Sequence, residues 1–320
     1  MKGSIKSKLA LSLVIVLTFV AASAIQFSGL INHTYATPAD APPLIASGIV
    51  PTPSASPPVP TPTFEPANWT IQEGILYATL PFGSYHLNIY TSNPPPAGKT
   101  PIVLFFYGCC NPNTNRDNAL RLGATPADPH EYLFRALLNN GYRVATLDYP
   151  AQYPVVNFND VEAGKAAVRF FRAHAATYHI DPTRIIAWGT SGGGNPVELM
   201  GTADQHAGFD IGQHLKYSSR VEGVLIWYGD EANLSYISVD DAPFLIQDGV
   251  NDAAELKTDS QNAFQALCSA HVFAQLQWIA HAGHKFASAT TTNPDYEGIA
   301  QTAITFLNAK VRDNPSPLPQ

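Results

Sequence analysis

Charge is scarce in this chain. Only 13% of its 320 residues are Asp, Glu, Lys or Arg, and 18 basic residues against 25 acidic ones give a formal net charge of -7. There is no basic footprint for nucleic acid, so that class of partner is excluded. Cysteine is nearly absent. Three residues, Cys109, Cys110 and Cys268, are too few and too unevenly placed for a disulfide framework and read as buried thiols. Adjacent cysteines rarely bridge each other, which leaves Cys268 with Cys109 or Cys110 as the only pairing geometry allows. No internal repeat is visible, and no lipobox-type cysteine lies near the N-terminus, which argues against a lipoprotein anchor. What is present is apolar: 45% hydrophobic residues, enough for one large core, or one core plus an appendage.

The N-terminus carries the first positive signal. Lys2, Lys6 and Lys8 precede an uncharged apolar run over residues 9–31, which fits either a cleaved secretory signal or a retained membrane anchor. Residues 1–36 are read as that segment, and either form sends the rest of the chain outside the cytoplasm. Residues 37–63 are rich in Pro, Ser, Thr and Ala and cannot bury enough apolar surface to offset their ordering entropy; they read as a semi-rigid linker. The folded domain is placed at 64–313, and 314–320 reads as a disordered tail.

Within the domain, apolar strand runs alternate with helical patterns, which predicts a mostly parallel sheet covered on both faces. An antiparallel pair opens it at 69–79 and 85–90. The run Ile102-Val103-Leu104-Phe105-Phe106 has the continuous apolarity of a central strand. Further strands are expected at 142–147, from Ile185, at 221–228, at 243–247 and at 274–279. Helices are expected at 130–140, after a cap at Asp160, near 261–270 and at 296–310.

One stretch carries the chemistry. Ile185-Ile186-Ala187-Trp188 runs into Gly189-Thr190-Ser191-Gly192-Gly193, and Asn195-Pro196 opens a helix. A strand, Gly-x-Ser-x-Gly and a helix together place a serine on a tight, strained turn at a helix N-terminus, where free N–H groups favour a developing negative charge. A serine hydroxyl needs a base, and the base needs an acid to fix its tautomer. His284, in the loop after the last strand, is the base candidate; His281 is nearer the strand end and reads as a residue that packs or bonds to backbone. Asp252 and Asp248 both follow the seventh strand at its carboxyl end, where open parallel sheets place their sites. Backbone N–H groups of Gly192 and of the loop after the third strand, at Cys109 and Cys110, are the oxyanion-hole candidates.

Over about residues 81–307 the chain resembles α/β-hydrolases of the esterase/lipase branch, close to bacterial feruloyl and acetyl esterases and to hormone-sensitive-lipase-like enzymes. The stretch from Ile180-Asp181-Pro182 to Gly194 carries most of the likeness, with Asp148-Tyr149-Pro150 and His284 two residues before Phe286. In Pro243-Phe244-Leu245-Ile246-Gln247-Asp248-Gly249-Val250-Asn251-Asp252 the family's acid stands three residues after the glycine, so the resemblance assigns the role to Asp252. The order Ser191, Asp252, His284 is the order of that fold. The chain departs from the family in having Tyr107-Gly108-Cys109-Cys110 for His-Gly-Gly-Gly, Asp248 for a histidine, and Gly192 for an alanine.

The resemblance implies an eight-stranded, mostly parallel α/β-hydrolase sheet with little or no lid, since only residues 229–242 separate the sixth and seventh strands. It implies a serine carboxylesterase with neither metal nor organic cofactor; the short 229–242 connection suits small-molecule esters of short acyl chains or polymer-linked esters, and the N-terminal segment places the protein outside the cytoplasm, with membrane contact only through that segment if it is retained. Oligomeric state stays open. A prolyl-oligopeptidase-like peptidase shares the order but lacks here the residues for its propeller, and a non-catalytic binding module is the alternative from another class.

Overall fold

The computed structural model describes residues 68–108, 114–123, 128–151, 158–230 and 232–313. The leader, linker and tail assigned above, and both Cys109 and Cys110, lie outside the described residues. Among the described residues no helix is long and apolar enough to cross a membrane.

Eight strands form one sheet: β1 (Trp69–Leu80), β2 (Gly83–Ser92), β3 (Thr100–Phe106), β4 (Arg143–Leu147), β5 (Ile180–Thr190), β6 (Gly223–Trp227), β7 (Phe244–Gly249) and β8 (Ala274–Ile279). Their spatial order is β1-β2-β4-β3-β5-β6-β7-β8. β1 and β2 pair antiparallel, as does β2 with β4; every later pairing is parallel. β3, β4, β6 and β7 are buried along their whole length, because helices cover the parallel part of the sheet. These helices are α1 (Pro129–Asn139), α2 (Asn159–Ala173), α3 (Gly194–Thr202), α4 (Ala254–Ser269) and α5 (Tyr296–Leu307). α1 packs with α5 and α2 with α3, one pair to each face.

Several boundaries differ from the sequence reading for identifiable reasons. Asp160 does not cap α2: the helix starts at Asn159, Phe158 is its N-cap without a side-chain bond, and Asp160 lies buried in the first turn. α4 begins at Ala254, seven residues before the expected start, because its first turns are exposed and only Ser260, Ala263 and Leu267 bury a side chain. β6 starts at Gly223 because Glu222 ends a turn, receiving the Ile185 N–H on its carboxylate at 2.7 Å and giving its own N–H to the Ile185 carbonyl at 2.8 Å. Cys268 is an exposed free thiol on α4 and neither buried nor paired. His281 is exposed as well, in a turn at φ 62°, so of the two roles expected for it, packing or bonding to backbone, packing is not the one it takes.

The link between β6 and β7 contains one short 3-10 turn, Leu234–Tyr236, and no helical lid among its described residues. The carboxyl ends of β3, β5, β6 and β7 therefore reach the same open edge of the sheet.

Candidate functional site

Ser191 stands where β5 stops. Its φ of 51° is left-handed, and it begins a 3-10 turn, Ser191–Gly193, that runs into α3. A positive φ on a residue with a Cβ costs free energy, and persists only where the surroundings enforce it. The flanking glycines supply that enforcement. A Cβ on Gly189 would come within 2.6 Å of Val197 Cγ2, and one on Gly193 would run into the carbonyl oxygen of Phe106. Gly192 lies buried in the turn immediately after Ser191.

The segment leaving β3 passes just as close. A Cβ on Gly108 would sit 2.9 Å from the Ser191 Cβ, so the glycine lets the backbone cross over the serine, with Cys109 and Cys110 next in the chain.

His284 opens the 3-10 turn His284–Phe286, held by Phe286, which is fully buried, and by a left-handed Lys285 at φ 63°. Its Nε2 is 3.0 Å from Ser191 Oγ and its Nδ1 is 2.9 Å from Asp252 Oδ2. Asp252 also accepts the Ala253 N–H at 2.7 Å. Burial pushes the Asp252 carboxyl up, but the hydrogen bonds from His284 and Ala253 outweigh it and hold the group below the usual carboxylate range. An ionised Asp252 keeps the proton on Nδ1 and leaves the Nε2 lone pair facing the hydroxyl. The structure thus brings Ser191, His284 and Asp252 into one hydrogen-bonded chain.

Asp248 stays out of that chain but touches it. It is fully buried, accepts from Ser260 Oγ at 2.9 Å and from the Gly249 N–H at 2.7 Å, and hydrogen-bonds Asp252. Burial first, then the charge of Asp252, push its carboxyl up to about 7.

A cavity of about 520 Å³ opens over Ser191. Phe105, Tyr107, Gly108, His130, Thr190 and Tyr228 line it, together with the polar Thr114, Asn118, Arg121 and Lys285, of which the last three are exposed and give it a polar mouth. Among the described residues no cluster of three or more His, Cys, Asp or Glu side chains has the arrangement of a metal site.

Comparison with known proteins follows the same line. The BD-FAE family model, a hydrolase-fold esterase family, matches residues 87–235. Over that segment the chain is similar to the esterase/lipase branch of the α/β-hydrolases, and its eight-stranded sheet has the α/β-hydrolase fold. A truncated carbohydrate esterase from gut microbiota is similar in structure at 19% identity and a TM-score of 0.58, over 76% of this chain and 96% of that one. A thermophilic esterase of the Planctomycetes species Thermogutta terrifontis superposes with a TM-score of 0.59 at 18% identity, covering 81% of this chain and 97% of its own. A bifunctional GH43-CE protein of Bacteroides eggerthii gives 0.59 at 20% identity, over 75% of this chain and 38% of that one. No curated protein sequence matches.

The matched segment contains Ser191 and ends before Asp252 and His284. Three neighbours of the site escaped the sequence reading. Gly108 was read as part of a donor loop, not as the point of closest approach to Ser191. His130 reads from the sequence only as the start of a helix, and Tyr228 only as the last residue of a buried strand. The one available signal was the polar run Asp128-Pro129-His130-Glu131 at a helix start expected to be apolar on its inner face.

Proposed function

We propose that the protein is a serine carboxylic ester hydrolase that works through an acyl-enzyme. The carrying observation is the continuous chain from Ser191 Oγ through the His284 imidazole to the buried Asp252 carboxylate. Ser191 attacks the ester carbonyl while His284 takes its proton, and the carbonyl π electrons move onto oxygen. The Gly192 N–H, with donors from the loop at Cys109 and Cys110, holds that oxyanion. Collapse expels the alcohol, which leaves with the proton from His284. Water, deprotonated by the same imidazole, then cleaves the acyl-enzyme and releases the acid. No step calls on a metal or an organic cofactor.

The substrate we infer is a short acyl group on a polar, carbohydrate-type alcohol. Two features support it: the polar mouth of the cavity, at Thr114, Asn118, Arg121 and Lys285, and the short link between β6 and β7, which leaves the edge open. The likeness to a carbohydrate esterase, and to a Thermogutta esterase solved with butyrate and with propionate, agrees with this. The lysines ahead of the N-terminal apolar run support an extracytoplasmic location, anchored or released.

Chromogenic esters of increasing acyl length, with sugar acetates beside them, test the reading. Activity should be highest for two to four carbons and fall at least about 10³-fold in Ser191→Ala, the loss expected when a nucleophile is removed. Undiminished hydrolysis by Ser191→Ala would exclude the serine mechanism, and a preference for long acyl chains would exclude the open-site substrate.

A further inference from the structure

A second Asp–His pair lies within the same cavity wall, and the proposed mechanism does not use it. Asp128, the N-cap of α1, accepts the His130 N–H at 3.0 Å and also hydrogen-bonds His130 Nδ1. Burial pushes Asp128 up, but its bonds to His130, followed by Arg121, leave it below the usual range and ionised. With Nδ1 carrying the proton, His130 Nε2 accepts, and Tyr228 donates its hydroxyl to it across 2.9 Å. His130 is 8% exposed and Tyr228 1%, so this is a buried network in which an unmade bond is costly.

Tyr228 does more than satisfy His130. Its ring meets the His284 imidazole edge-on, with centroids 5.0 Å apart and planes at 69°, and is backed by Phe286 at 4.8 Å. One phenol therefore meets the His130 ring through its oxygen and the His284 imidazole through its own ring.

His284 has need of such a wall. Its side chain is 32% exposed, and its ring is held by hydrogen bonds at its two nitrogens, to Asp252 at 2.9 Å and to Ser191 at 3.0 Å, which leave its faces to be packed by neighbours. Misplacing a reacting group by about 1 Å costs on the order of 10²-fold in rate. We propose that Tyr228, anchored at its hydroxyl by the Asp128–His130 pair, is a positioning residue that holds the His284 imidazole in line with Ser191. This rests on the reading of Ser191 and His284 as nucleophile and base. The hydroxyl of Tyr228 is spent on His130, so the residue acts on the imidazole and does not bind substrate.

The test uses the full chain and a short-acyl chromogenic ester, with kcat and KM measured separately and folding followed by circular dichroism. Tyr228→Phe and His130→Phe should each lower kcat by about tenfold with KM within about twofold, the signature of an interaction that matters in the transition state. Combined, they should lose no more than the worse single variant, since both cut the same link. His130→Gln, whose amide oxygen can accept the phenol, should recover most of the loss. If His130→Phe fails to fold, Tyr228→Phe and His130→Gln decide the matter. Unchanged kcat in folded Tyr228→Phe, or a rise in KM alone, would overturn the proposal, as would additive losses. Ser191→Ala, assayed alongside, separates the two failures: activity surviving there removes the serine mechanism itself, whereas its loss with normal Tyr228→Phe turnover removes only the positioning role.

Discussion

Asp248 and Asp252 are buried side by side, four residues apart, and their environments drive them to opposite protonation states. Asp252 is held ionised by the His284 and Ala253 donors, while burial raises Asp248 to about 7. The direction of the pH effect follows. A carboxyl whose folded pKa lies above its unfolded value of about 3.9 contributes full stability below that value and loses it as pH rises through the folded pKa. The stability associated with Asp248 is therefore present at pH 4 and lost by about pH 8. Asp248→Asn cannot ionise and can still donate to Asp252, so it should gain on the parent protein between pH 5 and pH 8. Thermal melts at the two pH values should show that gain as about 2–4 °C for each kcal/mol recovered; a difference independent of pH would show that Asp248 does not titrate in this range. At this scale the sequence was a partial guide. Residue type and order pointed to Ser191, Asp252 and His284, yet two aspartates followed β7, and only the likeness to the family separated them. That Asp248 would be fully buried, or that Tyr228 would touch His284, depends on how β6, β7 and the final turns stack, which no local pattern encodes.

Among the elements, the turn after β7 and the turn after β8 are joined backbone to backbone. Val250 donates to Ile279 at 3.1 Å and Asn251 to Ala282 at 2.9 Å, and a Cβ on Gly249 would strike the Ala282 carbonyl oxygen. Gly249 thus sets the spacing between the turn that carries Asp252 and the turn that carries His284. Gly249→Ala should push them apart, lowering kcat/KM by about 10²-fold for a displacement near 1 Å, and should cost roughly 1–3 kcal/mol through overpacking. Paired assays of turnover and melting temperature would read both effects, and normal turnover would show that the two turns adjust independently. Strand assignments were legible at this scale because the buried strands are continuously apolar. The start of α4 was not: its first turns lie exposed over β7 and β8 and leave no apolar stripe to mark them.

The molecule as a whole is one sheet whose parallel strands run β4-β3-β5-β6-β7-β8, and the alternation of strand and helix in the chain was enough to anticipate it. What the alternation does not encode is the placing of residues far apart in sequence. Ser191 comes from the middle of the sheet, where β5 has a neighbour on each side, whereas His284 follows β8, which has only one. Strands at an edge open at lower free energy than those in the centre. The two turns joined through Gly249 carry Asp252 and His284 at that side of the sheet, and His284 meets Ser191 through one hydrogen bond and Tyr228 through one aromatic contact. Warming should loosen this joint before it melts the sheet. Ester hydrolysis should therefore fall away several degrees below the loss of far-ultraviolet ellipticity, and coincident midpoints would show that edge and centre come apart together. On the proposed mechanism the working ceiling is then set at the β8 edge, and a brace across β8 should raise it without altering a single reacting group.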